Sequence, residues 1–127
     1  MAYDADDVTF KKGVAIVEKL GLLAKANPAL GDDLRAHTIT ALFGTIWTRE
    51  GLELQERSLI TLASLISLNR EHELRLHFRG ARNLGISKEK IEEVILHLAH
   101  YSGWPTAITA NTVLTEVWDE MDQEEEG

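Results

Sequence analysis

The residues of this 127-residue chain with the clearest capacity for acid–base chemistry are Glu56, Arg57 and His77. Glu56 and Arg57 directly precede the apolar-rich run 59–68, and an ionisable pair beside so apolar a segment needs a partner, because an unpaired buried charge is strongly destabilising. A carboxylate, a guanidinium and an imidazole can together bind an anion and deliver a proton. The structural alternative is an ion pair at the start of a helix and a histidine packed in the core.

Whether these three residues meet depends on how the helices that carry them cross. In a plain hairpin around 69–70, Glu56 lies about 13 residues before the turn and His77 about 8 residues after it, which leaves an axial mismatch of about 8 Å. We therefore expect contact only if the two helices cross obliquely or if a neighbouring subunit completes the site.

A second set of residues, Glu93, His97 and His100, shares one helical face at spacings suited to a metal site. The pattern is weak, because it lacks the Glu of the HExxH motif and the chain contains no Glu-x-x-His pair. We expect core or interface histidines, no resident metal and no cofactor. The chain has no cysteine, which excludes disulfides, thiolate metal sites and thiol redox chemistry.

The elements that position these residues are predicted to be helices throughout, because apolar residues recur at helical spacing and no run alternates as a half-buried strand does. We expect an all-α, single-domain bundle of about six helices. Their predicted ranges are 8–23, 32–47, 54–68, 71–84, 87–102 and 105–121. Their predicted boundary residues are Pro28 after the first helix, Asp32 or Asp33 as cap of the second, Gly85 after the fourth, Ser87 as cap of the fifth and Pro105 at the start of the sixth.

The third predicted helix is apolar on nearly all sides, which is typical of a buried helix. Its small polar residues fall at every third position: Ser58, Thr61, Ser64 and Ser67. We expect them to admit close neighbours and to bond their hydroxyls back to the preceding turn.

The net charge of −8 is concentrated at the two ends. Nine of the 21 acidic residues lie in 1–7 and 119–127, so the expected folded core, 8–118, is close to neutral between two solvated acidic tails. No basic stripe indicates a nucleic-acid partner, and no segment is predicted to be a signal peptide or a membrane span. We expect a soluble, cytoplasmic protein.

Several segments then resemble the carboxymuconolactone decarboxylase family, in order and spacing, over about 43–118. They are 44–52 (GTIWTREGL), 56–63 (ERSLITLA), 68–81 (LNREHELRLHFRGA), 83–87 (NLGIS) and 101–105 (YSGWP). The resemblance implies an alkylhydroperoxidase-like all-α domain that assembles into a ring-like trimer or hexamer with active sites near subunit contacts. The last predicted helix fits this expectation, since Trp104 and Trp118 flank an apolar stripe of Ile108, Leu114 and Val117.

The absence of cysteine excludes the thiol-dependent peroxidase branch, so the resemblance implies decarboxylation of γ-carboxymuconolactone in protocatechuate catabolism, without a cofactor. On that basis Arg57 binds a substrate carboxylate and the developing enolate, and His77 is the general acid. Glu56 orients His77 or raises its pKa by favouring the imidazolium. Trp47 and Tyr101 are expected to form an apolar wall and a polar tip.

Three alternatives stay open at this stage. The N-terminal third lacks the His-x-Asp-Arg stretch of the decarboxylases, which favours a paralogue acting on another small acid. A non-catalytic oligomeric binding module would use the same helices with structural ion pairs. A metal-dependent enzyme would need Glu93, His97 and His100.

Overall fold

The structure, a computed structural model, describes residues 7–22 and 31–127, and these ranges are helical without a strand. This confirms the predicted all-α class. The elements are α1 (Val8–Leu20), α2 (Asp32–His37), a π-helical segment (Thr38–Ile46), α3 (Leu54–Ser67), α4 (Glu71–Asn83), α5 (Lys88–Ser102) and α6 (Trp104–Glu126). The chain divides into two compact units, Met1–Leu54 and Gln55–Gly127, each described by itself below.

The first helix ends earlier than predicted. Gly21 adopts a left-handed conformation with φ of 70°, and its N–H donates to the carbonyl of Glu18. Leu22 then donates to Val17, which completes a helix stop that needs a residue tolerant of positive φ. The prediction that this helix reaches residue 23 was therefore wrong, and the predicted stop at 24–28 lies outside the described residues.

The second predicted helix is present but changes geometry along its length. Gly31 occupies the N-cap without a side-chain bond, so Asp32 and Asp33 lie in the first turn, where their charge faces the positive helix end, and neither is the cap. From Thr38 the backbone continues as the π-helical segment, which Trp47 closes by donating to the carbonyl of Leu42.

Two glycines set the distance between α1 and the π-helical segment. A Cβ atom on Gly13 would lie 2.0 Å from the carbonyl oxygen of Ile39, and one on Gly44 would lie 2.4 Å from that of Thr9. No side chain fits at these separations, so the two backbones are in direct contact at both positions.

In the second unit the predicted boundaries hold to within one or two residues, apart from the end of α6. Asn83 ends α4, and Gly85, two residues later, has φ of 85°. The hydroxyl of Ser87 accepts a hydrogen bond from the N–H of Lys90 at 3.1 Å. Pro105 lies in the first turn of α6. The core joins all four helices of the unit: Leu62, Ile66, Leu74, Phe78, Ala81, Ile91, Ile95, Leu114 and Val117 are among its buried side chains.

The prediction that α3 is buried on all sides was wrong for the single chain. Ser58, Leu62 and Ile66 form its buried face, whereas Ile60 is 55% exposed. The hydroxyls also divide: Thr61 donates back to the carbonyl of Arg57 as predicted, but Ser67 bonds to the hydroxyl of Ser102 on α5. One apolar face of α3 is therefore left uncovered by the described residues of the unit.

The acidic C-terminal residues, expected as a solvated tail, are exposed but helical. The last helix continues to Glu126, and its acidic side chains bind a row of three arginines on α4. The ion pairs are Arg75–Glu116, Arg79–Glu120, Arg79–Glu124, Arg82–Asp122 and Arg82–Glu125. Because Arg79 is only 8% exposed, its charge needs these partners, and they hold the end of α6 against α4.

Across the two described stretches of the chain, no helix combines the length and the apolar character that crossing a bilayer requires.

Candidate active site

The imidazole of His77 lies at the boundary between the core and the surface. It is on α4 one residue before the fully buried Phe78, and its Nδ1 atom is shielded from solvent. Burial lowers the pKa of His77 below its ordinary value of 6.5, because an imidazolium loses solvation there. The group is therefore a histidine whose protonation depends on the charges around it.

The charge that opposes this effect belongs to Glu73, a residue that the sequence reasoning did not identify. Glu73 precedes His77 by four residues on α4, and the two side chains therefore neighbour each other on one helical face. Its carboxylate raises the pKa of His77 against the larger effect of burial. The sequence signal was the Glu-x-x-x-His spacing of Glu73 and His77. It lies within segment 68–81, which was interpreted only as part of the family resemblance.

The predicted pair on α3 points in two directions. Glu56 is exposed, whereas Arg57 is half-buried and its Nε atom is shielded from solvent. Residues one apart on a helix do not share a face, so Arg57 is the member of the pair turned further towards the interior. A guanidinium is a planar group of N–H donors that can bind a carboxylate at two points.

Ser58, next to Arg57, was predicted as a small residue that packs and bonds to its own helix. It is completely buried, and among the described residues its hydroxyl has no hydrogen-bond partner. A buried hydroxyl without a hydrogen-bond partner destabilises the folded state by about 1–3 kcal/mol. Ser58 is thus an unsatisfied polar group next to Arg57.

The two predicted wall residues lie in different surroundings. Trp47 belongs to the first unit, where it is 5% exposed and packs against Phe43 with ring centroids 5.5 Å apart. Tyr101 is 79% exposed on α5 and stacks on His97 at 5.0 Å. In the single chain, Tyr101 is therefore a surface residue.

The residues of the alternative metal site, Glu93, His97 and His100, lie on exposed positions of α5. His97 stacks on Tyr101, and His100 contacts the edge of Trp104 with centroids 4.9 Å apart. In residues 7–22 and 31–127, no group of three or more His, Asp or Glu side chains has an arrangement that could hold a metal ion.

Two shallow grooves flank α5. The groove between α3 and α5 has a volume of about 460 Å³ and is mostly apolar, with Lys90, Glu93 and His97 at its polar edge. The groove between α5 and α6 has a volume of about 490 Å³ and includes Trp104 and Ile108, which are both more than half exposed. Neither groove is lined by Arg57 or His77.

A guanidinium can bind an anion, and an imidazole can exchange a proton. A model of the carboxymuconolactone decarboxylase family matches residues 32–116. The chain belongs to the carboxymuconolactone decarboxylase family. The matched range contains both Arg57 and His77.

Two curated relatives of this family member are decarboxylases by name. The chain is 40% identical over 79 residues to a 4-carboxymuconolactone decarboxylase of Acinetobacter baylyi, over 62% of this chain and 59% of the relative. It is 42% identical over 79 residues to a nitrosuccinic acid decarboxylase of Metarhizium robertsii, over 62% of this chain and 55% of the relative. The chain thus spans less than two thirds of either relative.

A third relative extends over more of both chains. It is an uncharacterised 15.0 kDa protein of Paracoccus denitrificans, 28% identical over 102 residues, which are 79% of this chain and 76% of that protein.

Proposed function

We propose that this family member is a cofactor-independent carboxy-lyase that releases CO2 from γ-carboxymuconolactone or a related small lactone acid, in the cytoplasmic breakdown of aromatic compounds. The observation that supports it most directly is the likeness to two decarboxylases within a family match that includes Arg57 and His77. The substrates in the relatives' names share a chemical feature. In each, the carboxylate can leave next to a group that accepts its electron pair, an unsaturated lactone in one case and a nitro group in the other.

The electrons of the reaction explain why no cofactor is needed. In γ-carboxymuconolactone the C–CO2 bond breaks, and its electron pair moves through the adjacent double bond onto the lactone carbonyl oxygen. A proton then bonds to the ring carbon next to the lactone carbonyl and gives the enol-lactone, so each turnover consumes one proton and releases one CO2. The substrate is its own electron sink, and the protein has to bind it, stabilise the oxyanion and deliver the proton.

The residues divide these tasks according to their chemistry. Arg57 binds the retained carboxylate or the developing oxyanion through its planar fork of N–H donors. His77 delivers the proton as an imidazolium, which an anionic substrate beside it favours. Tyr101, exposed on the surface of its own chain, is proposed to contribute to the site of a neighbouring subunit.

Glu56 keeps its proposed role near the site in a reduced form. It is exposed on α3, and the carboxylate whose charge acts on His77 is that of Glu73. We assign Glu56 to the rim of the substrate site, with its effect on His77 secondary.

The test is turnover of γ-carboxymuconolactone and related lactone acids, followed by ultraviolet absorbance and CO2 release. His77→Gln should keep the fold and lower kcat by about 10²- to 10⁴-fold, the range for loss of a general acid. Arg57→Lys should raise KM and lower kcat together, because a point charge does not replace a two-point clamp. Thermal unfolding of each variant separates these effects from loss of structure.

Three results would contradict the proposal. Wild-type protein that turns over none of these acids is a paralogue with another substrate or a binding module. If His77→Gln is as active as the wild-type protein, the histidine is a packing residue. If EDTA removes the activity and one divalent metal restores it, the enzyme is metal-dependent and the candidate residues are Glu93, His97 and His100.

A further inference from the structure

We propose that Glu73 is the positioning residue of His77: its carboxylate, one helical turn away on the same face of α4, stabilises the imidazolium that delivers the proton. Because this role assumes that His77 is the proton donor, it rests on the proposed function. It adds to that function a second residue of the proton-delivery step.

The geometry of α4 carries this inference. Side chains four residues apart on a helix are neighbours, and a helical side chain leans towards the N-terminus, which directs His77 towards Glu73. Glu73 is exposed, whereas the Nδ1 atom of His77 is shielded from solvent. The carboxylate of Glu73 is therefore at the surface, and the imidazole of His77 is partly buried.

The charges where α4 packs against α6 have partners of their own. On the side of the helix that packs against α6, Arg75 is paired with Glu116, and Arg79 is paired with Glu120 and Glu124. Those carboxylates are already compensated by arginine. From the first turn of α3 come Glu56 and Arg57, whose charges are opposite in sign.

The chemistry gives the pair a purpose. Decarboxylation consumes one proton per turnover, so the donor has to recover its proton from solvent before each new cycle. Burial disfavours the imidazolium, and the pKa of His77 stays below its ordinary value even with Glu73 beside it. The carboxylate of Glu73 opposes this effect and so stabilises the imidazolium that forms when His77 takes up its proton.

The experiment compares Glu73→Gln with Glu71→Gln, a matched control that removes the same charge from an exposed position in the same first turn of α4. The titration of His77 is followed by NMR of its imidazole in the substrate-free protein, with the signal assigned from its absence in His77→Gln. We expect Glu73→Gln to lower the pKa of His77 relative to wild type and Glu71→Gln to leave it unchanged.

Kinetics form the second arm. In Glu73→Gln the loss of kcat/KM with rising pH should begin at lower pH, and kcat/KM near pH 7 should fall by on the order of twofold to tenfold. Glu73→Asp, which retains the charge, should recover part of both effects. Thermal unfolding should change little, because Glu73 is exposed.

The outcomes separate this inference from the proposed function. An unchanged His77 titration in Glu73→Gln overturns the pairing whatever the activity. If the pKa of His77 falls in Glu73→Gln but the pH at which kcat/KM begins to decrease does not change, the pair does not serve the reaction. Absence of turnover in wild-type protein overturns the proposed function, and with it the catalytic use of the pair.

Discussion

At the scale of single residues, His77 links the stability of the protein to pH. Burial lowers its pKa below 6.5, so the unfolded chain takes up a proton on His77 at higher pH than the folded chain does. The stability that this difference provides is complete above pH 6.5 and is lost as the pH falls through the folded-state pKa.

We predict that His77→Gln weakens this dependence. The free energy of unfolding of wild-type protein should fall more steeply between pH 7 and pH 5 than that of the variant, because glutamine binds no proton. Urea unfolding at pH 7, 6 and 5 measures both slopes. Equal slopes for the two proteins would show that His77 titrates alike in the folded and unfolded states.

Ser58 gives a second prediction at this scale. Ser58→Ala removes a buried hydroxyl without a described partner and places a better helix former at that position. We expect the free energy of unfolding to rise by about 1 kcal/mol. Ser64→Ala, at an exposed position of the same helix, is the control and should gain only the helix-propensity difference of roughly 0.5 kcal/mol. Chemical denaturation measures both, and a destabilised Ser58→Ala would mean that its hydroxyl binds an ordered partner such as water.

At the scale of elements, the contact between α1 and the π-helical segment depends on Gly13. In Gly13→Ala the new methyl group would overlap the carbonyl of Ile39, and backbone cannot move aside as a side-chain tip can. We predict a loss of at least about 1–3 kcal/mol in stability. Gly51→Ala is the matched control, because open space surrounds that position, and its effect should stay within about 0.5 kcal/mol. Thermal unfolding of both variants tests the prediction, which fails if they behave alike.

The sequence predicted those boundaries that depend on a single local residue. Gly85 and Ser87 each satisfy a helix end through their own backbone or hydroxyl, so their types were sufficient. Gly21 was missed because apolar residues continue after it, and the π-helical segment has no distinct sequence pattern. The end of α6 was missed for another reason: Arg79, 45 residues before Glu124, decides whether those carboxylates are solvated or bound.

The candidate site was predictable to a similar extent. The types and positions of Arg57 and His77 indicated an anion site with a proton donor, but burial of the imidazole depends on packing of the whole unit. The role of Glu73 follows from that burial, since a carboxylate matters to His77 only where water does not screen it. Leu114 and Val117, predicted for a subunit interface, are fully buried in the core of the second unit, which corrects that assignment.

At the scale of the whole molecule, the exposed apolar residues around α5 favour a homo-oligomer. Trp104, Ile108 and Ile60 are each more than half exposed beside the two grooves, and covering them by a second copy would remove apolar surface from water. We propose this surface as the contact between subunits. It replaces the stripe predicted from the sequence, of which Trp104 and Ile108 remain.

We predict that light scattering at micromolar concentration gives a multiple of the 14.2 kDa chain mass. Ile108→Glu should shift the protein towards smaller species, because it places a charge in the contact. Val8→Glu is the matched control, since Val8 is 66% exposed and Ile108 is 62% exposed, and it should leave the mass unchanged. A wild-type mass near 14.2 kDa would contradict the assembly.

The ion pairs between α4 and α6 also determine what the protein presents to large charged molecules. A chain that ended at Trp118 would lose six acidic residues and no basic one, so its net charge would be −2 in place of −8. The same truncation would remove every described carboxylate partner of Arg79 and Arg82 while leaving both on α4 beside Arg75. Polyanions such as RNA or heparin would then bind a cationic face that is neutralised in the intact protein. The carboxylates in the last turns of α6 thus serve as counterions for the arginines of α4.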